Sequence, residues 1–191
     1  LLLPALRLTL TEFTFSSANY MADAALLNPL FSAMLASPTQ PLANECAEIL
    51  YLLSRRNTSI AKLPMGTGTA SLATLNNNFT QLITDAQVTL SDAKASTSER
   101  MVTATILAHH PGNEESVIRT LGVHISSLTS PEVFQQSLGI LAHINTPQVS
   151  ELLIGSWPSL VPHAREGVAD VLLSRVPWAK QLLHVIEKGT I

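Results

Sequence analysis

The chain has 191 residues, a formal net charge of −3, 46% apolar and 13% charged residues, and one cysteine. That balance argues against a nucleic-acid binder, which usually shows a basic stripe, and the densest basic pair is Arg55-Arg56. A lone thiol, Cys46, leaves no internal disulfide and no cysteine-based zinc site.

The N-terminal half is the less regular part. The chain opens Leu1-Leu2-Leu3-Pro4 with no Met, so it is expected to be a segment excised from a longer protein. Pro4 and Arg7 interrupt this apolar run, which is too short to cross a bilayer and lacks the basic lead and cleavage site of a signal peptide. Residues 1–17 are expected to form an N-terminal arm cut from its upstream neighbour. Helices are expected over Ala18–Ala36, Gln40–Arg56, Thr69–Thr84 and Thr97–His110. Within the second, Asn44-Glu45-Cys46-Ala47-Glu48 places the cysteine at a buried position, where a free thiol acts as a small hydrophobe. Leu63–Thr69 reads as a loop by its Pro and Gly content. Gly66-Thr67-Gly68-Thr69-Ala70-Ser71 imitates a phosphate loop but lacks the preceding strand and the Gly-Lys-Ser/Thr ending, so it reads as a glycine-rich helix entry. Asn76-Asn77-Asn78 has poor helix propensity and is expected to interrupt the third helix. The sequons at Asn57 and Asn78 matter only in a eukaryotic secreted protein.

Residues 97–191 are the most regular. Pro131, Pro147, Pro162 and Pro177 follow one another at intervals of 16, 15 and 15 residues. Proline is tolerated in the first turn of a helix, where its missing N–H is not needed. The spacing therefore predicts helix starts, and two such helices make a hairpin unit of about 31 residues. The expected helices are Asn113–Ser127, Ser130–Ile144, Thr146–Trp157, Val161–Arg175 and Pro177–Lys188. Ser130, Thr146 and Asn113 stand as N-caps, with Glu132, Glu114 and Glu115 in first turns. Two echoes support repetition. Ile106-Leu107-Ala108-His109 returns as Ile140-Leu141-Ala142-His143, and Leu52-Leu53-Ser54-Arg55 returns as Leu172-Leu173-Ser174-Arg175. Each falls at the end of the second helix of a unit. The fold class expected is all-α: an α-α superhelix, a HEAT or armadillo-like solenoid of about five helix pairs in one domain over residues 1–191.

Sites of chemistry are scarce. His109-His110 point about 100° apart on a helix and have no Asp, Glu or Cys at i+4, so they read as C-terminal capping residues, as does His143. His124, His163 and His184 stand alone. No Gly-x-Ser-x-Gly elbow occurs. No catalytic residue, metal ligand or cofactor-binding residue is assigned, and the segment is read as non-enzymatic. Arg100 and Arg165 lie seven residues before Leu107 and Leu172, where an arginine can bridge neighbouring units. Arg175, Trp157 and Trp178 complete the candidate interaction or inter-repeat residues, the tryptophans either wedging hairpin ends or serving as binding anchors. An Asn-lined inner groove, with Asn76, Asn77 and Asn78 its only hint, is what a free-standing peptide- or protein-binding adaptor needs. A contribution to a dehydrogenase site is the third alternative, and it needs polar groups converging on one concavity around a perturbed His or Glu.

Residues 156–191 carry a family resemblance. The Trp157-Pro158 corner, Leu160, Pro162, Arg165, Leu172-Leu173-Ser174-Arg175, Trp178 and the closing Gly189-Thr190-Ile191 resemble the HEAT-like segment of planctomycete-type multidomain proteins. These are bacterial membrane-bound dehydrogenase or haem-binding proteins, with a β-propeller before the repeats and a cytochrome c domain after them. The resemblance implies a scaffold between redox domains, at the periplasm or cell surface, with haem c confined to a downstream domain, while one unpaired Cys by itself fits the cytoplasm equally well. Its partners are neighbouring domains of the same chain or another protein, without nucleic acid and without membrane insertion. The haem attachment motif Cys-x-x-Cys-His does not occur, Cys46 being alone.

Overall fold

A computed structural model describes residues 24–55, 72–126, 130–189 and 191. The expected N-terminal arm, the Leu63–Thr69 loop, the phosphate-loop look-alike and the Asn57 sequon lie outside them. Among the described residues the chain is all-helical, with nine α-helices, one 3₁₀ turn and no strand. They are α1 Ala24–Ala36, α2 Gln40–Arg55, α3 Leu72–Ser91, α4 Thr97–Leu107 and α5 Glu114–Ser126. They continue as α6 Pro131–His143, α7 Pro147–Ser156, the turn Trp157–Ser159, α8 Pro162–Leu173 and α9 Val176–Glu187. No described helix is long and apolar enough to cross a membrane.

The four prolines do what their chemistry dictates. Pro131, Pro147 and Pro162 are the first residues of α6, α7 and α8, and Pro177 is the second of α9. Caps are less uniform than the sequence suggests. The Ser130 hydroxyl accepts from the Val133 N–H, but Thr146, which also precedes a proline, makes no side-chain cap. The fullest cap is at α4, where Ser96 and Glu99 form a reciprocal capping box. Replacing Ser96 by Ala should cost about 1 kcal/mol of stability; a denaturation midpoint equal to that of the native chain would show the cap is redundant.

One expectation fails. Asn76-Asn77-Asn78 does not break its helix, and α3 runs on past Thr84 to Ser91. Tertiary contacts override the weak propensity. The Asn78 amide donates to Asn28 Oδ1 at 2.7 Å and Ser32 Oγ at 3.1 Å on α1, Leu75 is fully buried, and Phe79 stacks on Phe31 with ring centroids 5.6 Å apart.

Each helix packs against the helix two further along the chain: α1 on α3, α3 on α5, α5 on α7 and α7 on α9, and likewise α2 on α4, α4 on α6 and α6 on α8. Most also touch the next helix, as in α3 with α4, α5 with α6 and α8 with α9. Two glycines admit the close approaches. A Cβ on Gly122 of α5 would stand 3.1 Å from Leu152 of α7, and one on Gly167 of α8 would stand 3.2 Å from Leu138 of α6.

The core follows the helical period. Val117, Leu121 and Ile125 on α5 and Val149 and Leu153 on α7 are all at most 1% exposed. The middle helix α4, in contact with α2, α3, α5 and α6, buries seven consecutive residues from Met101 to Leu107. The two threonines of that run are accommodated because their hydroxyls donate back to the helix, Thr103 to the Glu99 carbonyl and Thr105 to the Met101 carbonyl. Cys46 is fully buried on α2. Burial first, and the Glu45 charge second, push its thiol up to about 12, so it stays protonated and inert.

Candidate functional site

A concavity of about 380 Å³ crosses one row of helices. Gln40, Asn44, Ala47, Glu48 and Tyr51 face it from α2, Thr105 from α4 and His109 just past its end, and Gln136, Gly139, Ile140 and His143 from α6. On α2 and α6 these positions recur at three- and four-residue steps, so each helix contributes a single face. The Gln40 amide donates to Asn44 Oδ1 at 3.0 Å and to Thr105 Oγ1 at 2.9 Å, tying α2 to α4 at one end of the groove.

At the other end three rings form a ladder, one from α2, one from just past α4 and one from α6. Tyr51 meets His109 edge-on with centroids 6.0 Å apart, and His109 meets His143 at 4.8 Å, the rings tilted by 53°. His109 is pushed down to about 4, chiefly by burial and then by the proximity of His143. His143 is the more exposed ring; it is also lowered, first by loss of hydration and then by the Arg175 charge. Both imidazoles are therefore neutral at pH 7, able to donate from one nitrogen and accept at the other.

The capping role expected of His109 and His110 is not what their rings do. His109 turns into the groove. His110 turns the other way, its Nδ1 2.9 Å from the Asn113 amide nitrogen and its ring 5.8 Å from Phe79 of α3. Both lie in the turn that follows α4 rather than on the helix, so the helical spacing does not apply to them, and the tertiary fold gives His109 a partner 34 positions away.

The other sequence candidates lie outside the groove. Arg100 donates from Nη2 to the Asp92 and Ala93 carbonyls at 3.0 and 3.1 Å, bracing the link between α3 and α4. Arg165 is half-buried in the first turn of α8. Arg175 donates to the Ala142 carbonyl at 2.9 Å, so the α8–α9 link is bound to the end of α6. The same guanidinium lies 4.9 Å from the Trp178 ring centre. Trp178 is 2% exposed, and Trp157 is half-buried against the core. Asn78 bridges α1 and α3, in the other row of helices.

Apart from His109 and His143, which the sequence reads as caps, the groove residues were not singled out by the sequence. Two signals could have found them. The Ile-Leu-Ala-His echo puts a histidine at the same place in two successive units, and Gln40, Asn44, Glu48 and Tyr51 make a polar stripe at helical spacing. A smaller cleft of about 180 Å³ lies between α1, α3 and α4, with Asp85 and Glu99 at its edge and Leu82 and Val102 within. Among the described residues no three His, Cys, Asp or Glu side chains are grouped to hold a metal ion by themselves. No protein-family model matches the chain, and neither a curated protein nor a solved structure is similar to it.

Proposed function

We propose that the chain is a short helical-repeat scaffold of the HEAT or armadillo kind, a protein-interaction segment whose inner row is α2, α4, α6 and α8. Support comes from the regular packing of each helix on its second neighbour, which is how a repeat array buries faces that no single hairpin can cover. The observation that carries the interaction reading is the groove across α2, α4 and α6, with an aromatic or imidazole ring from α2, from just past α4 and from α6. Side-chain amides of Asn44 and Gln136 match the donors and acceptors of an extended peptide backbone. Glu48 favours a basic residue, and Tyr51 offers a ring for stacking or cation–π contact.

Random-peptide display against the whole chain tests this reading. Selected peptides should be rich in Lys or Arg, should lose binding with Asn44→Ala or Tyr51→Ala, and should keep it with Asp85→Ala in the smaller cleft. Peptides indifferent to the groove substitutions, or a selection that yields none, would overturn it.

A second reading, contribution to a dehydrogenase site, draws on the convergence of polar groups around the perturbed His109. Turnover that is lost in His109→Gln would favour it over the scaffold. The redox parentage rests on residues 156–191, and it predicts a β-propeller upstream and a Cys-x-x-Cys-His motif downstream in the full gene product.

A further inference from the structure

The spacing of the His109–His143 pair is one that a shared metal ion also fits. An imidazole nitrogen binds Zn²⁺ at about 2.0–2.1 Å, which puts the ring centre about 3.2 Å from the ion. Two such rings are then about 4.5 Å apart at a right angle between ligands and about 5.2 Å apart at the tetrahedral angle. The observed separation of 4.8 Å lies between these limits.

We propose that His109 and His143 together bind a divalent transition-metal ion at the head of the groove, with water or an incoming carboxylate in the remaining positions. Both rings line the same open concavity, so an ion has a path to them. His143 is exposed, and one turn before it a Cβ on Gly139 would meet nothing within 4 Å, so there is room for its ring to turn toward an ion. Neutral imidazole is the ligating form, so no proton must leave at pH 7. Glu48 lines the groove and supplies negative charge. Arg175 opposes the ion, but its guanidinium is held by the Ala142 carbonyl and the Trp178 ring. Two protein ligands make an open site, the kind that leaves positions for a further ligand. Imidazole donors suit Zn²⁺, Ni²⁺ and Cu²⁺, and disfavour Mg²⁺ and Ca²⁺.

Calorimetric titration of the untagged chain with Zn²⁺ at pH 7.5 tests the site, without any peptide present and so independently of the scaffold reading. One ion per chain is expected. His143→Gln should weaken binding by at least about tenfold, the lower end of what losing even an outer-sphere partner costs, and His109→Gln should do the same. The double variant His163→Gln with His184→Gln should bind as the native chain does. His143 is exposed, so its variant carries the test even if His109→Gln fails to fold. Absence of saturable binding, native affinity in His143→Gln, or a folded His109→Gln that binds normally would each overturn the proposal.

Discussion

Leu172→Ala should lower the unfolding free energy by about 2–5 kcal/mol, whereas Leu173→Ala should change it by no more than about 0.5 kcal/mol. The two leucines are adjacent and both belong to the Leu-Leu-Ser-Arg echo. Leu172 is 0% exposed and Leu173 58%. The first substitution removes a buried methine and two methyl carbons and leaves a cavity among helices that pack on both sides of α8; the second only trims a side chain already in water. Urea denaturation followed by helical ellipticity gives both values. Tryptophan fluorescence adds a local reading, because Trp157 and Trp178 sit at the same end of the chain as α8. In a linear array each unit leans only on its neighbours, so Leu172→Ala should move the fluorescence transition to lower urea than the ellipticity transition. Equal losses for the two variants would mean that the burial contrast along α8 is wrong.

The second large effect is on acid stability. His109 titrates at about 4 in the folded chain and near 6.5 when unfolded. A proton is therefore bound more readily by the unfolded state throughout that window. Stability from this group is present in full above pH 6.5 and is lost as the pH falls toward 4. A shift of this size corresponds to roughly 3 kcal/mol, and roughly 2 is a fair expectation for a ring with partial access to solvent. His143, lowered in the same direction, adds to the slope. Charging both rings sets two cations side by side under Arg175, and Glu48 is the acidic residue of the groove that could offset them. Glu99 acts in a different window: the hydrogen bonds from Ser96 lower its pKa, so its contribution is lost only below pH 4.5. Denaturation midpoints from pH 7 to pH 4.5 should therefore fall steeply in the native chain and much less in His109→Gln. Parallel curves for the two proteins would rule out the imidazole as the source.

Much of the helical layout was legible in the sequence because its causes are local. Proline fixes φ and gives up a donor, so Pro131, Pro147, Pro162 and Pro177 mark helix starts whatever surrounds them. The apolar period decides which face of α5 or α7 goes inward, and a lone Cys46 amid small and apolar neighbours reads as core. Where the sequence misleads, the cause is non-local. Three asparagines look like a break until Asn78 finds Asn28 and Ser32 on α1. His109 looks like a cap until α6 brings His143 against it.

The all-helical class, the proline-marked starts and the buried periodicity were thus determined by the chain alone, since they depend on backbone sterics and on hydrophobic spacing within a few turns. The groove, the ring ladder and the opposite fates of Leu172 and Leu173 were decided only by tertiary packing. Each depends on which helix lies beside which, and that is set by contacts between residues some thirty or more positions apart, for which the local sequence carries no code.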